Sequence, residues 1–227
     1  MTDLKTLLSS NPYPGRGVLC ARTLSGDVLG GYFLTGRSAA SKDRALRLVG
    51  DELLVGPTEE TEHDPLRHYA AALATPEWLV FGNGEQVSEV TGRLLKGASA
   101  ADSLGELEYE PDPPIRTSRI TALLSRDGGR TAVLGAARPS TGTRLTTNVM
   151  TLTVRDLEPG EALLMTTYRS DGQTVAVASP FDETTTGSHD AEGLLDEIWS
   201  ALNPAYRVAA VVLDPSRGPA SAVQRSI

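Results

Sequence analysis

The sequence predicts an α+β fold of stacked sheets with helices on their outer faces, and three observations point there. Many short stretches read as strands and few as helices, with the helices grouped between sets of strands. Turn residues punctuate the strands at Ser25-Gly26-Asp27, Gly50-Asp51, Asp127-Gly128-Gly129 and Pro159-Gly160. At 227 residues and 40% hydrophobic content, the chain can bury a full core as one domain, read here as residues 1–227.

The elements follow in order. Leu4, Leu7 and Leu8 predict one short amphipathic turn, stopped by Asn11-Pro12-Tyr13-Pro14-Gly15. Residues 17–24 and 27–36 read as a hairpin, and 44–49 and 51–55 as a second strand pair. Asp64-Pro65 is an N-cap followed by proline at the first helical position. Leu66, Tyr69, Ala70 and Leu73 then fall at helical spacing, so a helix is expected there. Residues 78–81 form a short buried strand ending in Gly82-Asn83-Gly84. A helix over 85–96 follows, with Val87, Val90, Leu94 and Leu95 inward, then a short helix over 100–106. After the acidic, proline-rich loop 108–114, strands are expected near 117–125, 131–137, 147–154 and 161–168. Ala191, Leu194, Leu195, Ile198, Trp199 and Leu202 make a continuous stripe on a helix over 190–202. The apolar run 206–213 reads as a central strand, and 214–227, with little to bury, as a loose tail.

Composition narrows the function classes. A net charge of −8 argues against a nucleic-acid surface, which needs a concentrated basic footprint. No apolar run approaches the roughly 20 residues of a membrane span, and the N-terminus lacks signal-peptide features, so the cytoplasm is expected. Cys20 lies in an apolar run and reads as a small buried hydrophobe. His63, His68 and His189 lack ligand spacing, so no metal site is expected. Methionine removal would expose Thr2, but Thr2 opens a polar helical segment where a terminal nucleophile should open a buried strand. Of 21 basic residues all but Lys5, Lys42 and Lys96 are arginines, whose planar forks suit carboxylates and phosphates.

Three local clusters carry the remaining chemistry. Asn11 to Gly17 is a rigid turn holding Arg16 against the start of a strand; as a plain turn, its arginine would be solvated. Gly36-Arg37-Ser38 closes a strand with Lys42 and Arg44 just beyond, an anion site or a charge-balancing loop. Tyr109-Glu110-Pro111-Asp112 runs into Arg116, Thr117 and Arg119, a fixed carboxylate near arginines that could be a base or a surface ion pair. Asn83-Gly84 lies between a strand and a helix, where backbone N–H groups can meet an anion.

Taken in series, these motifs resemble the archaeal-type IMP cyclohydrolase family and its bacterial relatives. The series runs from Asn11–Gly17 through Tyr32-Phe33, Gly36-Arg37-Ser38, Asp64-Pro65 with Tyr69, Asn83-Gly84 and Tyr109–Asp112 with Arg116-Thr117 and Arg119-Ile120, to Tyr168 with Asp171-Gly172. The resemblance implies a four-layer α-β-β-α sandwich like the N-terminal-nucleophile hydrolases, without their nucleophile. It also implies closure of the purine ring of a formamido-imidazole-carboxamide ribotide to inosine monophosphate, with water released and neither metal nor organic cofactor required.

On that reading Glu110 takes the carboxamide proton, and Arg37 or the Tyr69 hydroxyl stabilises charge on the formyl oxygen. Arg16, Ser38, Arg44, Asn83, Gly84 and Arg119 are the substrate-binding candidates. The expected partner is a small purine ribonucleotide, with no nucleic acid or membrane, and the exposed helices leave room for a homo-oligomer. The chain departs from the family pattern at Ala39–Asp43 and after Gly172. The alternative is a diverged or non-catalytic relative that binds a nucleotide-like anion, or one that uses the fold only as a scaffold.

Overall fold

The computed structural model describes residues 1–59, 68–140, 145–173 and 181–227. Asp3 caps the first helix, α1 (Leu4–Ser9), by accepting the Thr6 N–H. Strands β1 (Arg16–Arg22) and β2 (Val28–Thr35) form the expected hairpin, its turn carrying Gly26 at φ +99°. A four-residue helix α2 (Ala39–Lys42) precedes β3 (Ala45–Val49) and β4 (Glu52–Gly56). Next come β5 (Tyr69–Ala74), β6 (Trp78–Gly82), α3 (Gln86–Leu95) and α4 (Ala100–Leu104). Strands β7 (Arg119–Ser125), β8 (Thr131–Arg138), β9 (Asn148–Arg155), β10 (Glu161–Thr166) and β11 (Asp182–Thr185) follow. Helix α5 (Ala191–Ala201), β12 (Arg207–Leu213), a 3-10 turn (Gly218–Ser221) and β13 (Val223–Ser226) complete the chain.

Among the described residues the strands build two antiparallel sheets. One has six strands in the order β11-β10-β1-β2-β12-β13, and the other is a seven-stranded meander from β3 to β9. Strand alternation sorts the side chains into three apolar clusters. Val18, Cys20, Tyr32 and Leu34 of the first sheet meet Leu79, Phe81, Ala122 and Leu124 of the second in one cluster between the sheets. Leu19, Phe33, Leu164 and Ala210 face the other way, onto Leu4, Leu8, Leu195 and Ile198 of α1 and α5. Val80, Leu123 and Val133 likewise pack on Val87, Val90 and Leu104 of α3 and α4.

Three expectations need correction. The helix read over Tyr69, Ala70 and Leu73 is a strand, β5, paired with β4 and β6; its proposed start at Asp64-Pro65 lies outside the described residues. Both faces of β5 are covered: Tyr69 and Ala71 face the inter-sheet core, while Ala70 and Leu73 face α3. A strand apolar on both sides satisfies helical spacing by coincidence. Leu95, expected inward, is 65% exposed at the last position of α3. The tail 214–227 is not loose, for β13 pairs with β12 and Arg126 donates to the Pro215 and Ser216 carbonyls.

Candidate active site

The strand registers bring polar residues to one end of the gap between the sheets. Arg16 opens β1 opposite Leu34 near the end of β2, and Gly17 pairs with Thr166 at the end of β10. In the other sheet Tyr69 opens β5, Gly82 ends β6 opposite Thr121, and Arg119 opens β7. Arg16 and Tyr32 share a strand face with Val18 and Leu34, so both point inward. Gly15 makes the approach possible: at φ +74°, a Cβ there would lie 2.2 Å from Thr167 Oγ1 and 2.5 Å from the Tyr168 ring.

At the centre Arg16 Nη2 donates to Glu110 Oε1 at 2.5 Å. Arg16 is 9% exposed and Glu110 4%, so both charges are desolvated. Burial pushes the Glu110 carboxyl above its usual range, the Arg16 charge and hydrogen bond pull it back, and burial wins. Asp112 adds to the upward push and Arg119 opposes it. Burial works against the Arg16 cation, but Glu110, with Tyr69, Tyr168 and Tyr32, outweighs it and keeps the guanidinium protonated.

Phenols and an amide frame the pair. The Tyr32 and Tyr69 hydroxyls share a hydrogen bond of 2.7 Å, the former fully buried and the latter 6% exposed. Burial, then Tyr69, raises the Tyr32 phenol well above its usual value. Tyr168 bonds through its hydroxyl to Thr117 Oγ1. Thr117 is itself held by Asp112 through its N–H and hydroxyl, both at 2.6 Å, and the Glu110 N–H donates to the Thr117 carbonyl at 2.8 Å. Asn83 Nδ2 donates to Glu110 Oε1 at 3.1 Å.

The sequence candidates divide on this geometry. Arg16, Tyr69, Asn83 and Glu110 come together. Gly84 stands beside them, for a Cβ there would lie 3.8 Å from Glu110 Oε1. Arg119 is close enough for its charge to act on Glu110, and its Nε is buried with no hydrogen-bond partner among the described residues. Arg16, expected at a phosphate, is instead taken up by the carboxylate.

Arg44 is buried and spends its guanidinium on the carbonyls of Thr35, at 3.0 Å, and Ser41, at 2.8 Å. Ser38 is exposed and caps α2. Arg37 stands apart: exposed, it donates to the carbonyls of Gly172 and Gln173 and lies 5.4 Å over the Tyr13 ring. Tyr13 stacks on Tyr168, so aromatic rings separate Arg37 from Thr117 and the Glu110 loop.

Sequence reasoning gave no role to Tyr32, Tyr168, Asp112, Thr117 or Gln86. For Tyr32 a signal existed, a tyrosine at an inward position of a buried strand. The others become visible only once the loop 108–118 is folded against the gap.

The family model for IMP cyclohydrolase-like protein matches residues 13–217. That span covers most of the chain and every residue of the polar cluster. An α+β protein with a buried acid–arginine pair between two antiparallel sheets is thus given a family, and the chain belongs to the IMP cyclohydrolase-like proteins. A comparison with curated proteins returned no match. Among the described residues no helix is long and apolar enough to cross a membrane.

Proposed function

We propose that this protein closes the purine ring of 5-formamidoimidazole-4-carboxamide ribotide, forming inosine monophosphate and water in the cytoplasm. We read its two sheets and their flanking helices as the four-layer α-β-β-α sandwich of the N-terminal-nucleophile hydrolases, without the terminal nucleophile. The observation that carries the reading is the Arg16–Glu110 pair beside the Tyr32–Tyr69 phenols, in a chain of this family.

The chemistry asks for three things. The carboxamide nitrogen must be held against the formyl carbon of the same molecule, which contacts to both ends of the substrate would achieve. That nitrogen must lose a proton as its bond to carbon forms, and Glu110, a carboxylate lifted by burial, is suited to accept it. The formyl oxygen gains the charge, and the Tyr69 hydroxyl, oriented by Tyr32, donates to it. Loss of the formamido N–H proton with that oxygen then releases water and leaves the double bond between that nitrogen and the former formyl carbon. Arg119, with an unused buried N–H, is the leading candidate for the 5′-phosphate. The remaining candidates for substrate contact are Arg37, which is exposed, Ser38, Arg44 and the Asn83-Gly84 turn.

The test is turnover of the formamido ribotide without added metal. Glu110→Gln should lower kcat by about 10²–10⁴-fold while the protein stays folded. Unchanged turnover in that variant would sink the assignment. A second reading draws on the separation of Arg37 from Glu110 by the Tyr13–Tyr168 stack: a relative that binds a nucleotide-like anion without turnover. Inosine monophosphate raising the melting temperature of a protein that shows no turnover would favour it.

A further inference from the structure

Asn83 sits in the turn between β6 and α3, 1% exposed, and its amide has no spare bonding capacity. Oδ1 accepts the Ile120 N–H at 2.7 Å and Gln86 Nε2 at 3.0 Å. Nδ2 donates to the Ser118 carbonyl at 2.9 Å and to Glu110 Oε1 at 3.1 Å. A backbone N–H can only donate and a carbonyl can only accept, so this amide has one permissible orientation. The same logic fixes Gln86. Its Nε2 faces two oxygens, Asn83 Oδ1 and the Ile120 carbonyl, while its own Oε1 is buried with no partner among the described residues. The fold therefore accepts an orphaned oxygen in order to keep Asn83 turned toward Glu110.

The consequence falls on one carboxylate oxygen. Oε1 of Glu110 takes two donors, Arg16 Nη2 and Asn83 Nδ2, and among the described residues Oε2 takes none. We infer that Asn83 is a positioning residue which, with Arg16, occupies Oε1 of Glu110 and reserves Oε2 for the proton the reaction moves. The inference rests on the reading of Glu110 as the base. It differs from the sequence expectation for Asn83, since an amide that contacts phosphate would keep its N–H groups for the ligand. The charged or titratable groups around Glu110 are Arg16 on β1, Arg119 on β7, Asp112 in its own loop and Tyr168 after β10.

Asn83→Asp is the sharpest test, because it replaces a donor to Oε1 with an oxygen of nearly the same shape. Two carboxylates at that distance hold a proton between them, which moves the acid limb of the kcat profile upward. We expect a shift of about one pH unit or more, kcat lower by at least about tenfold at neutral pH, and KM within about twofold of wild type. Asn83→Ala loses the donor without adding charge, and should move the limb the same way by less. A raised KM with an unmoved limb overturns the inference and makes Asn83 a substrate contact. A lowered melting temperature with kcat and limb unmoved overturns it too, leaving only a packing role. If wild-type protein shows no turnover, the reading of Glu110 as base has failed on its own. Carbon NMR titration of the Glu110 carboxyl in wild type and both variants still decides the positioning claim: a raised midpoint in the variants supports it, and an unchanged one overturns it.

Discussion

The two ends of the gap between the sheets are built from the same strands and have opposite chemistry. At one end Arg16, Tyr32, Tyr69, Asn83, Glu110 and Tyr168 enclose charge and hydroxyls. At the other, Cys20, Leu79, Leu124, Ala132, Leu163 and Leu213 close the space with hydrocarbon. Burial alone therefore does not mark function here. What separates the ends is that hydrogen bonds tie Arg16, Asn83, Glu110 and the phenols at the first into short networks, and networks of that kind fix geometry where hydrocarbon only fills volume. If the contrast is real, substitutions at the polar end should change chemistry and pH response, and those at the apolar end should change stability alone.

The largest effect should come from Arg16→Met, which leaves the buried Glu110 without the cation it is bonded to. Breaking a buried pair in this way costs about 3–5 kcal/mol, or roughly 6–20 °C in melting temperature for a domain of this size. Arg16→Met with Glu110→Leu should recover most of that loss, because no lone charge remains. Glu110 also gives the stability a pH dependence. Its carboxyl titrates above the usual 4.5 in the folded protein, so the folded state binds that proton more tightly than the unfolded chain does. The corresponding stability is fully present below 4.5 and is lost as pH rises through the raised value. Denaturant titrations across that range should show a decline that Glu110→Gln flattens. A wild-type curve that rises there instead would mean Arg16 outweighs burial.

At the apolar end Leu124→Ala removes a fully buried side chain and leaves a cavity, a cost of about 2–5 kcal/mol. Its kcat, KM and pH limbs should match wild type once the protein is folded. Any movement of the acid limb would mean the two ends are coupled through the core. Tyr32→Phe is smaller and changes sides. It leaves the Tyr69 hydroxyl without its partner, a loss of roughly 1–3 kcal/mol, and should lower kcat by about tenfold because Tyr69 is no longer aimed. An equal loss of stability with unchanged kcat would reduce the phenol pair to packing.

How far the sequence carried this contrast depends on the distance over which each signal acts. The β1–β2 hairpin, the β3–β4 pair, α3, α5 and β12 were legible because turn residues and apolar periodicity are local. β5 was misread because Tyr69-Ala-Ala-Ala-Leu-Ala is covered on both faces, and such a run fits two periods. β13 was missed because Val223–Ser226 has one weakly apolar residue, and its partner β12 supplies the pairing. At the site, Glu110 and Arg16 were each picked as chemistry-bearing, yet their contact spans 94 positions and reverses the role expected of Arg16. Type and local order are written in short segments, whereas which arginine meets which carboxylate is set by sheet register.

Ser38 gives the smallest effect and the finest test of that division. The sequence offers it as a substrate contact after Arg37, but its hydroxyl accepts the Ser41 N–H at 3.1 Å while the Ser41 hydroxyl accepts the Ser38 N–H at 2.9 Å. This reciprocal cap holds α2, four residues long and largely exposed. Ser38→Ala should cost about 0.5–1 kcal/mol, a few degrees of melting temperature at most. Ser41→Ala removes the other half of the cap while leaving the Ser38 hydroxyl in place, so capping alone predicts a small melting shift and an unmoved KM in each. A KM that rises in Ser38→Ala and not in Ser41→Ala would show that the hydroxyl reaches the ligand, and would extend the polar end of the gap out to α2.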